Sequence, residues 1–350
     1  MVTYSVRRGL MSGISLVNRK LSSVQKTGHV SFSDLSVPRV SGSSTAYQLG
    51  RRGMVQLTGR DTVDLLQGLV TSNVTELSNT TSTAQYSMML NVQGRVLYDL
   101  ILYNNSTAME VCFLIECDDT VKEDFMKTVK RYKIRKKVDV SDVSSEYQVY
   151  SIPSGLDPTQ TITSTPMGNR DVAHVPANAK FCLPDPRVPC FGQRVIFRRG
   201  EESLPCVDQD EAGYRALRYR WGIPEGPNDL PPGNCLPLES NLAFMNGVSF
   251  TKGCYIGQEL TARTHHTGVI RKRLVPLVFD RPPQPIAEDS QISTEKGKNA
   301  GKVRGVVGIH GLGLLRLQYQ GEPLSVNSTD GHKVALSSYE PGWWPADRSS

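Results

Sequence analysis

The first part of the chain alternates between strand-like and helix-like hydrophobic patterns, which predicts an α+β region. Val63, Leu66 and Val70 fall on one face of a helix that Asp61 caps, directly after a short strand. Apolar runs that are rich in β-branched and aromatic residues follow this helix and predict a meander of three strands: Ala84–Leu90, Val96–Tyr103 and Met109–Ile115.

Two further helices are indicated by their start and stop signals. The capping box Thr120–Glu123 opens the first, and the second covers Glu211–Trp221, capped by Asp208 and ended by Gly222. Between them the chain is rich in Pro, Ser and Thr, which predicts a loop-rich insert near 151–205 with only short strand candidates such as Arg194–Phe197.

The pattern changes again after about Gly268, where short β-like runs are separated by Gly and Pro turns. This pattern predicts a small C-terminal β-barrel with strands over four segments: Arg271–Phe279, Lys302–Ile309, Leu312–Tyr319 and Lys333–Ser337. We therefore divide the chain into a leader, an α+β region and a barrel: 1–40, 41–268 and 269–350.

Charge is concentrated at the start of the chain. The net charge is +6, but residues 1–33 alone hold five basic residues, many serines and no acidic residue, which leaves +1 for the remainder. This composition predicts a mitochondrial transit peptide and a location in the matrix, and the alternative is a disordered N-terminal tail.

Two partner classes are excluded by composition. Seven of the eleven residues over 127–137 are Lys or Arg, but with a nearly neutral remainder we interpret them as a charged helix face and expect no nucleic acid. The longest apolar run, Val111–Ile115, is far shorter than the roughly 20 residues of a membrane span, so we expect no membrane insertion.

One of the seven cysteines stands out by its surroundings. Gly253 and Gly257 flank Cys254, which indicates a backbone conformation that side chains would hinder. Lys252, Arg263 and a helix beginning near Tyr255 would each favour the thiolate. The alternative is a buried structural cysteine.

Two other patterns argue against a site held by this chain alone. The chain has no Cys-x-x-Cys pair, which disfavours a closed zinc site. His265 and His266 are adjacent, so on a strand they would point to opposite faces and not chelate one metal together.

The residues around this cysteine form a recognisable motif: Lys252, Gly253, Cys254, Tyr255, Ile256, Gly257, Gln258, Glu259 and, farther on, Arg263. Further motifs stand in order before it: Leu66–Val74, Leu90–Asp99, Asp185–Arg187 and Gly222–Pro224. Together they resemble the YgfZ-type proteins, which are iron–sulfur cluster assembly relatives of the glycine-cleavage T-protein. With the leader, the chain is most similar to the mitochondrial assembly factor of that family.

The resemblance implies a T-protein-like α+β fold closed by a C-terminal β-barrel. It also implies tetrahydrofolate binding and cooperation with A-type iron–sulfur carriers in the maturation of 4Fe–4S enzymes such as aconitase and lipoate synthase. The folate-binding candidates that it suggests are Asn91, Gln93, Arg95, Asp99, Arg215, Arg218 and Glu239.

Some of these candidates have simpler interpretations. Arg215 and Arg218 share a helix face, where they could instead pair with Asp208 or Glu211 in solvent. Asn91, Gln93 and Arg95 surround a tight turn, and hairpin geometry alone can explain them.

The number of available ligands restricts what Cys254 can do. An iron–sulfur cluster takes four ligands, mostly thiolates, and no other cysteine lies at ligand spacing from Cys254. If this residue binds a cluster, we expect the cluster to be transient and shared with a partner protein.

The alternative is a folate-dependent, aminomethyl-type one-carbon transferase. The T-protein pattern Gly-Gly-x-x-Asp-Asp is reduced here to Gly94, Arg95, Tyr98 and Asp99, in which only the last acidic residue survives. Arg95 stands in place of the second glycine of the pattern and Tyr98 in place of its first aspartate. These two differences favour a non-enzymatic assembly factor and leave enzymatic activity uncertain. A weaker alternative is a binding module that senses reduced folate.

Overall fold

A computed structural model describes residues 45–80, 83–161, 178–204 and 206–346. The predicted transit peptide, 1–40, lies outside the described residues. None of the described helices is both long and apolar enough to cross a bilayer.

Strands and helices are numbered along the chain. The strands are Ala46–Gln48 (β1), Arg52–Thr58 (β2), Ala84–Leu90 (β3), Val96–Asn104 (β4), Cys112–Asp118 (β5), Asp139–Asp142 (β6), Tyr147–Pro153 (β7), Phe181–Pro184 (β8), Gly192–Arg198 (β9), Val207–Asp208 (β10), Lys272–Phe279 (β11), Gln291–Thr294 (β12), Asn299–Val307 (β13), His310–Arg316 (β14), Leu324–Asn327 (β15) and Lys333–Ser338 (β16). The helices are Thr62–Leu69 (α1), Val74–Ser78 (α2), Asp119–Lys133 (α3), Glu211–Trp221 (α4), Gly226–Asp229 (α5) and Gln258–Thr267 (α6).

Two five-stranded sheets form the α+β region. The first has the order β3-β4-β5-β2-β6, and the second has the order β10-β1-β7-β9-β8. On one face of the first sheet, Val55, Phe113 and Ile115 pack against Phe125 of α3. The other face joins the core that contains Ile196 of the second sheet, so the first sheet is covered on both sides.

The C-terminal region is a closed barrel of six strands in the order β11-β14-β13-β12-β15-β16. Its interior is filled by side chains such as Val275, Phe279 and Leu315, each at most 1% exposed. The predicted α+β region followed by a β-barrel is therefore confirmed.

Several local predictions were wrong at their ends. The third strand begins at Cys112, since Met109 stands in a loop and is 95% exposed. Helix α3 is capped by Asp118, which accepts the N–H of Thr120, so the predicted capping box does not open it.

Two more predictions differ from the structure. Helix α4 has the predicted bounds, but Asp210 rather than Asp208 is its cap. The stretch predicted as loop-rich contributes β8 and β9 to the second sheet, because Val195 and Phe197 alternate with Arg194 and Ile196 between two buried faces. The strand candidate Arg194–Phe197 is confirmed, because it lies within β9.

Candidate functional site

The Cys254 loop, residues 250–257, lies against the end of helix α1 and exposes its thiol. Ser249 N–H donates to Thr71 O at 3.0 Å, and Ile256 N–H donates to Gly68 O at 3.1 Å. Tyr255 is buried, whereas Cys254 is exposed to solvent. The loop is thus fixed at both ends, and the alternative of a buried structural cysteine is wrong.

Lys252 fixes the same loop from within. Its Nζ donates to Val70 O at 2.8 Å and to Ser72 O at 2.7 Å. It also lies 5.1 Å from the centroid of the Tyr255 ring. Burial lowers the pKa of Lys252 to about 8. The sequence suggested a cation beside the thiol, but in the structure this ammonium group attaches the loop to the end of α1.

A β-hairpin turn closes against the other side of the loop. Gly257 has φ +78°, and a Cβ there would stand 2.3 Å from Asn91 O. Gly94 in the turn also has φ +78°, and a Cβ there would stand 2.8 Å from Leu260 Cβ. Two glycines that are 163 positions apart therefore allow the hairpin and the Cys254 loop to touch.

The second flanking glycine has no such role. Apart from its chain neighbours, no atom of the described residues lies within 4 Å of a Cβ built at Gly253, so the predicted steric need for glycine holds at Gly257 but not at Gly253. Helix α6 begins at Gln258, not near Tyr255 as predicted, because Gly257 is left-handed and forms its N-cap. The helix therefore starts four residues after the thiol.

The far end of α6 folds back on the loop through a contact that sequence reasoning missed. The ring of His265 stacks on Phe250 at 3.6 Å between centroids, with an interplanar angle of 8°. His265 and His266 lie on this helix, so the strand interpretation of the pair was wrong. The two aromatic residues are 15 positions apart, and only the helix assignment would have revealed their contact.

The described residues offer few ligands for iron. They contain no group of three or more His, Cys, Asp or Glu side chains that could hold a metal ion. Among the cysteines, Cys112, Cys117 and Cys235 are buried, and burial raises the pKa of Cys117 to about 12. Only Cys206 and Cys254 are exposed. Of these two exposed cysteines, Cys254 is the one that lies in the recognised motif.

A second polar region, which we call the central ion network, lies between the two sheets. Strand alternation points Arg52, Asp99 and Glu116 from the first sheet toward Arg194 of the second. Glu116 accepts from Arg52 Nε at 2.6 Å and from Arg194 Nε at 3.1 Å. Burial opposes ionisation of Glu116, but the charges of Arg194 and Arg52 prevail and lower its pKa to about 2.

The network extends to helix α4 and the loop that follows it. Glu225 accepts from Arg187 Nη1 at 2.6 Å and from Tyr214 OH at 3.0 Å. Arg218 donates to Asp229 Oδ2 at 2.7 Å. Since Arg218 is buried, its predicted pairing with Asp208 or Glu211 on a solvated face was wrong.

Asp99 is also built into this network. Its Oδ1 accepts the N–H of Gly226 at 3.0 Å, while its Oδ2 lies 4.0 Å from Arg52 Nη1 without a hydrogen bond. Burial raises the pKa of Asp99. Asp99, the acidic residue that is retained from the T-protein pattern, thus holds the first residue of helix α5 in place.

Two cavities adjoin the network. The smaller, of about 60 Å³, is lined by Arg215 and Arg218, and the larger, of about 450 Å³, shares Arg215 and Asn228 with it. Small-molecule sites usually span roughly 300–1,000 Å³, so only the larger cavity has room for a folate-sized ligand. Arg215 Nε is buried without a hydrogen-bond partner, which suits a ligand carboxylate.

The structure does not bring all the folate candidates together. Asp99, Arg215 and Arg218 lie at the central ion network, and Glu239 lies beside a groove at the barrel. The other three belong to the hairpin turn, where Asn91 Oδ1 accepts the N–H groups of Gln93 and Arg95 at 3.0 and 2.9 Å.

The remaining motif residues have distinct positions. Gln258 lies at the start of α6, where its Oε1 accepts the N–H of Tyr255 at 3.4 Å. Glu259 and Arg263 are on the exposed side of the same helix. The motif thus forms a loop and the start of helix α6. The loop carries the exposed thiol of Cys254 and is held in place by the end of α1 and the hairpin turn.

The fold and the site define a class. The glycine-cleavage aminomethyltransferase T from Bartonella henselae superposes with a TM-score of 0.63, at 15% identity, over 86% of each chain. The family model of the CAF17 C-terminal β-barrel domain matches residues 271–346. The chain therefore has the T-protein fold with a CAF17-type barrel.

Relatives define the family more narrowly. The iron-sulfur cluster assembly factor IBA57, mitochondrial, is 41% identical in Mus musculus and 39% identical in Homo sapiens, over 86% and 91% of each chain respectively. The homologue of Mycosarcoma maydis is 33% identical over 87% of each chain. The chain belongs to the IBA57 family of mitochondrial iron–sulfur cluster assembly factors.

Proposed function

We propose that this protein supports the maturation of 4Fe–4S proteins in the mitochondrial matrix by holding a transient cluster jointly with an A-type carrier. Cys254 supplies one ligand and the carrier supplies the others. The observation that carries the proposal is the exposed thiol of Cys254 on a loop fixed by Lys252 and Gly257.

The ligand count supports a shared cluster rather than a resident one. Iron–sulfur clusters are held by four protein ligands, mostly thiolates. The part of the chain that the structure describes places no three candidate ligands together. A cluster bound at Cys254 therefore needs ligands from the carrier, and a cluster shared in this way suits transfer to recipients such as aconitase or lipoate synthase.

The direct test uses visible absorbance. The full chain is mixed with a cluster-loaded A-type carrier, and the spectrum of the complex is compared between the wild type, Cys254→Ser and Cys206→Ser. We expect Cys254→Ser to lose the absorbance of the shared cluster and Cys206→Ser, the other exposed cysteine, to keep it. An unchanged spectrum for Cys254→Ser would contradict the proposal.

Tetrahydrofolate is the small-molecule ligand included in the proposal. Arg215, which lines both cavities and whose Nε has no partner in the described part of the chain, would hold its acidic tail, and the bound folate would offer a one-carbon carrier at the site. We expect Arg215→Ala to weaken tetrahydrofolate binding about tenfold, measured by calorimetry, since a charge-assisted hydrogen bond contributes about 1.5–3 kcal/mol. Arg60→Ala, an exposed arginine, is the control. If both variants bound tetrahydrofolate with equal affinity, Arg215 would not be part of the folate site.

Depletion in cells separates the proposal from the transferase alternative. We expect aconitase activity and protein lipoylation to fall together while the polypeptides remain present. An isolated defect of glycine cleavage with preserved lipoylation would instead support one-carbon transfer. Folate binding without any defect in cluster enzymes would indicate a folate-sensing module.

A further inference from the structure

A groove of about 320 Å³ runs between helix α6 and the first barrel strand. Part of its wall is apolar, with contributions from Leu236, Leu238, Leu260 and Ile270. Val269, which follows the helix, stands at the groove and is 67% exposed. Val269 and the apolar side chains of the wall thus line one groove together, and a contiguous apolar patch, unlike a single exposed residue, is typical of an interaction site.

The open side of this groove carries an uncompensated cluster of positive charge. Lys272 on β11 stands directly opposite Arg316 on β14, so the two side chains share one face of the barrel. Like charges in directly opposite positions destabilise a sheet. Arg271 adds a third cation, and none of the three belongs to a salt bridge within the described part of the chain.

The acidic residue of the groove does not neutralise this cluster. Glu239 lines the groove but is only half-exposed and has no salt bridge among the described residues. Burial raises the pKa of Glu239, and Lys272 counteracts part of that rise. Three cations against one half-buried carboxyl leave a net positive groove that can accept a further carboxylate.

The groove is continuous with the Cys254 loop. Leu260 both lines the groove and packs on Gly94 of the hairpin turn, and that turn touches Gly257 of the loop. At the tip of the same turn, Val92 is 71% exposed. Exposed apolar residues thus lie both at the hairpin turn that touches the Cys254 loop and at the groove.

We infer that this groove binds an acidic segment of the same partner protein that supplies the remaining cluster ligands. A carboxylate of that segment lies between Lys272 and Arg316, and an apolar side chain next to it packs on Leu260 and Val269. The inference rests on the proposed function, because it assigns the surface by which the carrier is held while its cysteines meet Cys254.

A single charge reversal tests the inference without weakening the fold. Arg316→Glu places a carboxylate opposite Lys272, so we expect a new cross-strand ion pair and a melting temperature equal to or above that of the wild type. We expect the same variant to bind the cluster-loaded A-type carrier at least roughly tenfold more weakly, measured by calorimetry. Lys298→Glu, an exposed charge in a barrel turn, is the matched control and should bind like the wild type.

The salt dependence of the affinity provides a second test on the same complex. The affinity of the wild type should fall as salt rises from 50 to 300 mM, and that of Arg316→Glu should fall less steeply, because an attraction has been removed. An affinity of Arg316→Glu within about twofold of the wild type would overturn the inference.

The two proposals fail in different ways. If the wild type forms the shared cluster and Arg316→Glu forms it with equal affinity, only the groove inference is overturned. If the carrier binds the wild type through the groove but no cluster absorbance depends on Cys254, the groove stands and the role of the thiol is wrong.

Discussion

The central ion network and the Cys254 loop are built in opposite ways. In the network, side chains such as Arg194 and Glu116 are fully buried and hold one another. In the loop, backbone groups and the side chain of Lys252 are hydrogen-bonded to the end of helix α1 and the residues after it, and Cys254 is left in solvent. The comparison separates two tasks, because groups that satisfy one another stabilise the fold, and a group left without a partner is available to another molecule.

The position of the network explains why it is polar. The two sheets face each other through alternate residues of their strands. Glu116 of the first sheet pairs both with Arg52 of its own sheet and with Arg194 of the second. Buried charges are tolerated only when they are paired and hydrogen-bonded. The network fills the space between the two sheets of this chain, whereas the loop with the exposed Cys254 lies against the end of helix α1.

The largest expected effect comes from breaking the network. Glu116→Ala leaves Arg52 and Arg194 buried without their carboxylate, and removing one partner of a buried pair costs about 3–5 kcal/mol. We expect urea unfolding to show this loss. Asp64→Ala, which breaks the surface ion pair with Lys136, should change the free energy of unfolding by at most about 1 kcal/mol.

The same carboxylate gives the network a pH dependence. The pKa of Glu116 is about 2 in the folded chain, below its ordinary value of 4.5, so its stabilisation is complete above about pH 4.5 and is lost as the pH falls toward 2. Unfolding curves of wild type and Glu116→Ala should therefore converge in acid. A constant difference between them down to pH 2 would contradict this role.

The next effect concerns the contact between the hairpin and the loop. Gly257→Ala forces a left-handed residue against Asn91 O, and we expect a loss of about 1–3 kcal/mol together with weaker cluster formation. Gly253→Ala is the matched control, because open space surrounds its Cβ position. Equal stabilities of the two variants, compared by thermal unfolding, would show that the close approach is not required.

Cysteine substitutions compare an interior thiol with the exposed one. Cys117→Ser buries a hydroxyl among apolar side chains and should cost about 1–3 kcal/mol of unfolding free energy. Cys254→Ser should change that free energy by less than about 0.5 kcal/mol. A similar destabilisation by both substitutions would mean that Cys254 contributes to the fold rather than to binding alone.

The titration of Lys252 adds a pH-dependent comparison. Its pKa is about 8 in the folded chain and near 10.5 when unfolded, so the unfolded chain binds more protons between these values and stability rises with pH across that window. In Lys252→Met this rise should disappear, whereas Lys298→Met, an exposed lysine, should keep it. Unfolding at pH 8 and 10 measures the difference, and a rise that persists in Lys252→Met would contradict the assignment.

Much of the secondary structure could be predicted from the sequence, but less of the geometry of the site. The strand Ala84–Leu90 and the helix Glu211–Trp221 were predicted with their correct bounds, because hydrophobic period and the stop at Gly222 are local signals. The caps of α3 and α4 were misplaced, because several neighbouring residues can each serve as a cap and packing selects one. The start of α6 was misplaced because Gly257 is fixed by the hairpin, which is remote in sequence.

The amino-acid order alone determined the α+β region, the barrel and the motif around Cys254, since each depends on residues that are near neighbours. The tertiary structure decided that this thiol is exposed, that Lys252 holds its loop, and that Arg218 is buried against Asp229. It also set Lys272 opposite Arg316 beside an apolar groove. Burial, charge pairing and close backbone approach are properties of residues brought together from distant positions, and no local pattern contains them.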